Sequence, residues 1–191
     1  FPKGFLNEIQ VIGILLSTDL VNDADILMVN GASAAVLISD IPWNGPVGCI
    51  RLAQIEGKFV VNPTNEQQCD SDLDLIYVGT ETKMLMIEGS ADQIPEARFI
   101  EALEFAQKAI QPIISAQREL AKVAGKEKRE FELYNVTDEN LKIVSDLIGD
   151  RLKAAVYTAK KSERRAAVKA LKAEAEVALI EAHAEGEYDK N

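Results

Sequence analysis

The chain has 191 residues, 47% hydrophobic and 27% charged, with a net charge of -10, the composition of a folded protein with one sizeable core or two small ones. Asn30, Ser33 and Asp40 interrupt the best apolar run, which excludes a membrane-spanning helix there, and the acidic balance excludes a nucleic-acid grip spread over the whole surface. The charge is uneven: residues 1–125 carry 8 basic and 17 acidic side chains, and residues 126–191 carry 13 and 14.

The opening FPKGF has no initiator Met and no export leader, and reads as the interior of a longer polypeptide. EIQVIGILLS (8–17) contains a continuous apolar run and predicts a buried strand. Asn22 or Asp23 is placed to cap a helix over roughly 24–39. That helix is apolar nearly all round, which predicts cover on more than one side. Gly31, Ala32, Ser33, Ala34 and Ala35 predict a smooth face for close backbone packing. In IPWNGP, Pro42 stops the helix and Asn44-Gly45 offers positive φ. Trp43 reads as a packing plug in this corner, with base stacking as the alternative.

Two strands joined at Glu56-Gly57 follow, then a second pair around Thr80-Glu81, four antiparallel strands in succession. A long helix begins at Pro95 and presents Phe99, Leu103, Ala106, Ile110, Ile113, Gln117 and Leu120 on one face. Pro112 should kink it and Gly125 should end it. Composition then shifts to KEKRE and Ala/Lys/Glu-rich sequence, which places a boundary in a linker at about 125–135, between domains at 1–125 and 126–191. The second part predicts two helices. Thr137 caps the first, with Leu141, Val144, Ile148, Leu152, Ala155 and Ala159 inward; Ser162 caps the second, with Val168, Leu171, Ala175 and Leu179 inward. The tail EGEYDKN reads as frayed.

The residues offer no self-sufficient active site. The single histidine, His183, reads as a surface or helix-end partner. No GxGxxG or GxxxxGK[ST] motif occurs. Cys49 and Cys69 lack metal-ligand spacing and read as reduced thiols of a cytoplasmic protein. Asp70, Asp72 and Asp74 alternate at a strand entrance, a solvated face in the simpler reading and a Mg²⁺ holder in the other. Asp23 and Asp25 read as first-turn dipole partners. Lys153, Lys160, Lys161, Arg164, Arg165, Lys169 and Lys172 stand against Glu163 alone, as a solvated helix face or a binding patch.

FPKGF with NEIQVIGILLS, then DADILMVNGASAAVLISDIPWNGPVGCIRLAQIEGKFVVNPT and SDLDLIYVGTETKMLMIEGSA, closely resembles the polynucleotide phosphorylase family. The resemblance implies an α+β fold class: the later part of the first RNase PH-like domain over 1–125, then an all-helical domain over 126–191. It implies a parent enzyme, a nucleotidyltransferase that degrades single-stranded RNA from its 3′ end with inorganic phosphate and Mg²⁺ and takes part in mRNA decay. The reverse reaction extends RNA. Such chemistry rests on positioning and charge neutralisation. The implied partners are RNA, two further copies in a homotrimer and RNA-decay proteins, with no membrane. The family's catalytic residues belong to the second RNase PH-like domain, so no residue here is assigned a catalytic or metal-binding role, and no bound cofactor is expected. Lys160, Lys161, Arg164 and Arg165 are the candidate RNA-binding residues. The alternative reading is a non-catalytic module for trimer assembly and partner docking.

Overall fold

The computed structural model describes residues 1–183. It divides into two compact units, Phe1–Leu133 and Tyr134–Asn191; the tail EGEYDKN lies outside the described residues.

The first unit is built on β1 (Gly48–Ile55), β2 (Lys58–Val61), β3 (Leu73–Gly79) and β4 (Met84–Ala91), all antiparallel in the order β2-β1-β3-β4. Glu56 and Gly57 both take positive φ, 48° and 73°, the tight hairpin geometry that matches strand twist. Gly89 of β4 has no room for a side chain, because a Cβ there would lie 2.1 Å from the Asp74 carbonyl oxygen.

Alternation along β1 and β3 sorts side chains between two faces. Ile50, Leu52, Leu73, Leu75 and Tyr77 face Ala102, Ala106, Ile110 and Ile114. These come from α3 (Glu96–Ala109) and α4 (Gln111–Ala124). Cys49 and Val78 pack instead with Ile26 of α1 (Asp25–Ile38). Near the expected kink the helix divides in two: Ile110, itself in an α-helical conformation, ends α3 and starts α4, and Pro112 sits in the first turn of α4, where its missing N–H costs nothing. Gly125 terminates α4 in an extended conformation.

Several expectations need correction. Residues 8–17 form no strand and are almost wholly exposed, Leu16 to 91%. The apolar run called for burial, but no described strand pairs with it. Neither Asn22 nor Asp23 caps α1; Ala24 holds the N-cap position without a side-chain hydrogen bond. Leu27 and Met28 are exposed, so the described residues cover α1 incompletely. Beyond its own helix backbone and chain neighbours, no described atom comes within 4 Å of a Cβ built on Gly31, which is therefore not a site of close backbone approach. A short helix, α2 (Asn65–Cys69), was not anticipated; Thr64 and Gln67 close a capping box at its start. The first unit runs to Leu133, inside the linker expected at about 125–135, and the amides of Lys126 and Arg129 donate to the carbonyls of Ile38 and Asp40.

The second unit pairs α5 (Asp138–Val156) with α6 (Lys161–Ala182). Thr137 caps α5 by accepting from the Asn140 amide. Ser162 does not cap α6; Lys160 occupies that position without a side-chain capping bond. The seam is Ile148, Ala155, Leu171 and Ala175, flanked by Val144, Ala167 and Val168. Leu141 and Leu152, expected inward, are exposed.

Candidate functional site

The densest charge cluster gathers on Arg51, at the centre of β1. Its side chain is 13% exposed and bound by carboxylates on three sides. Nη1 donates to both Asp74 oxygens at 2.8 Å and Nη2 donates to Asp25 at 2.7 Å. Nε lies 3.4 Å from an Asp23 oxygen, close enough for charge attraction but without a hydrogen bond. Burial opposes the Arg51 charge, but the bonds to Asp25 and Asp74 outweigh it and raise the guanidinium above its ordinary range. Arg51 also borders a cleft of about 580 Å³ lined by Leu15, Thr18, Asp19, Asn22, Leu27 and Asn62 among others.

This cluster ties β1, β3 and the start of α1 together and leaves little chemistry over. Three carboxylates around one cation make the site acidic on balance, so it does not fit inorganic phosphate. It does not fit Mg²⁺ either, since the guanidinium already occupies the point on which the carboxylates converge. Among the described residues no three His, Cys, Asp or Glu side chains converge as metal ligands. The single-face reading of Asp70, Asp72 and Asp74 is corrected: β3 starts only at Leu73, Asp70 is the C-cap of α2, and Asp74 is spent on Arg51. Asp25 does lie in the first turn of α1, yet Asp23 and Asp25 are equally the partners of Arg51.

Trp43 packs its ring 4.9 Å from Phe1 in a cluster that continues through Phe5 to Phe131, which makes it a plug in the corner. His183 Nε2 lies 2.6 Å from the Asn140 side-chain oxygen, joining the end of α6 to the start of α5. Cys49 and Cys69 are both free thiols; burial pushes the Cys49 thiol up to about 11.

Of the polar residues that set the geometry of the first unit, Gln117 was read on the inward face of its helix and the others escaped the sequence reading. Asn30 donates to the Cys49 carbonyl at 2.8 Å and accepts from its amide at 2.9 Å, acting as a strand substitute beside β1. Ser33, one turn on, accepts from the Val47 amide at 2.9 Å. Their i,i+3 spacing inside an apolar helix was the available signal. Gln117 donates to the Val47 carbonyl. Lys128 donates to the carbonyls of Val36, Leu37 and Ser39 and so caps the end of α1.

The four candidate RNA-binding residues divide in two. Lys160 pairs with Glu163 at 3.0 Å, and Arg164 donates to the Thr158 and Ala159 carbonyls at the α5–α6 turn. Lys161 and Arg165 are exposed on α6.

A four-stranded antiparallel sheet backed by helices, followed along the chain by a helical pair, makes an α+β protein, and this arrangement is consistent with an RNase PH-like domain. Residues 45–109 match the model of the 3′ exoribonuclease family, domain 2. Over 98% of its length the chain is 57% identical to a polyribonucleotide nucleotidyltransferase of Opitutus terrae. It is 47% identical to one from Methylacidiphilum infernorum over 95% of its length, and 48% identical to one from Akkermansia muciniphila over 97%. The chain spans about a quarter (26%) of the length of these curated relatives. Over nearly its whole length the chain is therefore similar to one segment of polyribonucleotide nucleotidyltransferases, with the 3′ exoribonuclease domain 2 match inside that segment.

Proposed function

We propose that the protein carrying this segment is a phosphorolytic 3′-to-5′ exoribonuclease. It degrades single-stranded RNA to nucleoside diphosphates with inorganic phosphate and Mg²⁺, extends RNA in reverse, and acts in cytoplasmic mRNA decay as a homotrimer. One observation carries the reading: 57% identity, across nearly the whole chain, to a polyribonucleotide nucleotidyltransferase. Within that enzyme we assign this segment a structural and RNA-channel role, with catalysis supplied from outside it. The saturation of Arg51 by Asp23, Asp25 and Asp74 supports this, because the most buried cation of the cleft is a fastener between β1, β3 and α1. The test is phosphate-dependent release of nucleoside diphosphates from poly(A) with Mg²⁺. The full-length protein should release them and this chain alone should not. Release by neither would overturn the enzyme reading, and release by this chain would overturn the division of labour.

A second reading, a module for trimer assembly and partner docking, draws on the exposed apolar surface. Leu15, Leu16, Leu27 and Met84 to Ile87 are all exposed, a concentration typical of contact surfaces. It predicts that this chain self-associates; a single monomer boundary in sedimentation velocity at micromolar concentration would exclude it.

A further inference from the structure

We propose that one stripe of α6, formed by Lys161, Arg165, Lys169 and Lys172, is a track for the phosphate backbone of single-stranded RNA. The inference rests on the proposed function for the identity of its partner, and on geometry for everything else. The spacing i, i+4, i+8, i+11 keeps all four side chains within about 80° of one another and spreads them along about 16 Å of helix. All four are exposed. Among the described residues none has an ion-pair partner, whereas the neighbouring Lys160 and Arg151 are paired with Glu163 and Glu174.

Uncompensated cations repeated at i,i+4 weaken a helix on their own account. Here they stand in a chain of net charge -10 that has carboxylates to spare, which marks the stripe as a surface made for an anionic partner. Its floor is apolar: Val156 and Val168 lie with Arg164, Arg165, Lys169 and Lys172 around a shallow cleft of about 640 Å³. Tyr157, next along the chain from Val156, is 80% exposed. Regular cations beside an apolar floor suit a strand that offers phosphates at even intervals and unstacked bases between them. An acidic protein surface would offer carboxylates without that periodicity. The footprint differs from the one read along the sequence: Lys160 and Arg164 are engaged locally, and the free cations continue down α6 to Lys172.

The test replaces Arg165, Lys169 and Lys172 by Gln in the full-length protein; Gln is a good helix former, so α6 should persist. At 0.15 M salt each lost phosphate contact on a single strand is worth roughly fourfold, so binding of oligo(A) should fall by roughly 50-fold. The plot of log affinity against log salt should become shallower by about 2. Lys160→Gln should change binding by less than about twofold, as expected for an exposed paired cation. In the wild type, oligo(A) should also shield Lys161, Lys169 and Lys172 from an amine-reactive label. Unchanged affinity, salt slope and labelling would overturn the track, as would shielding by polyglutamate but not by oligo(A). Phosphorolysis with stripe-independent binding would sink the track alone. Stripe-dependent binding without phosphorolysis would sink the enzyme reading and leave the track standing.

Discussion

The first unit buries both faces of a central strand, whereas the second buries a single seam between two helices. Ile50, Leu52, Leu73 and Leu75 are at most 1% exposed, while the best-covered side chains of the helical pair, Leu171, Ile148, Ala155 and Ala175, retain 6–8%. The backbones differ as well. Helices satisfy their own amides and carbonyls, so α5 and α6 need little beyond apolar contact and a few surface ion pairs. The strand β1 extends beyond its partner β2, and Asn30 and Asn62 bond to the backbone that β2 leaves unpaired at Cys49 and Arg51. A sheet unit therefore draws its definition from specific polar side chains far apart in sequence, and a helical pair draws it from pattern.

Truncation at matched sites breaks or sharpens this contrast most directly. Leu75→Ala should cost about 3–5 kcal/mol, the range for a well-packed core leucine. Leu171→Ala should cost about 2 kcal/mol, because its seam is already partly open to water. Denaturant unfolding of the chain followed by Trp43 fluorescence, with far-UV circular dichroism alongside, reads both. Equal costs would mean that the helical seam is as tightly packed as the sheet core. Arg51→Met should come next, at about 2 kcal/mol. It leaves Asp23, Asp25 and Asp74 facing one another, but each is more than a third exposed, which reduces the penalty of a fully buried orphan charge. Adding Asp74→Asn should recover part of the loss; no recovery would show that the cluster is held by packing rather than charge.

The elements that were legible in the sequence are those specified within a few residues. The Glu56-Gly57 hairpin, the four antiparallel strands, the break near Pro112 and the Thr137 cap all rest on local chemistry. The failures share the opposite feature. Asp23 is well placed to cap α1, yet its carboxylate accepts from Gln68 and lies 3.4 Å from Arg51, 28 residues on. Asp74 reads as one of an alternating acidic set until Arg51 is seen across the ladder. The five residues of α2 are too few for periodicity, although Thr64 and Gln67 carried the capping signal. In the helical unit the basic cluster was visible as composition. Only the turn geometry showed that Arg164 is bonded to the Thr158 carbonyl while Arg165 is free.

Lys128 tests the long-range side of the contrast at a smaller scale. Its ammonium meets the three carbonyls that end α1, about ninety residues earlier. Burial lowers its pKa from the ordinary lysine value, a sign that it is drawn out of water to reach them. Lys128→Met keeps the apolar stem and removes the donor, so it should cost about 1 kcal/mol. The loss should fall on the first unit alone: Trp43 fluorescence should report it while the helical seam melts as before. A loss of helical signal from the second unit of equal size would refute that confinement.

The smallest expected effect belongs to the second unit and concerns acid. Arg151 donates to both oxygens of Glu174, at 2.8 and 3.0 Å, across the two helices. These bonds hold the Glu174 carboxyl below its ordinary value of 4.5. A carboxylate depressed in the folded state adds stability above its unfolded pKa, and that contribution disappears as pH falls through the lower, folded value. Glu174→Gln should therefore melt slightly below the wild type at pH 7, and the two should converge in the acid range below 4.5. High salt should shrink the gap at neutral pH, because both side chains are about half exposed. A gap that persists below the carboxyl's folded pKa would mean that Glu174 supports the helical pair through packing rather than through its charge, and the second unit would then be less purely a matter of pattern than its seam suggests.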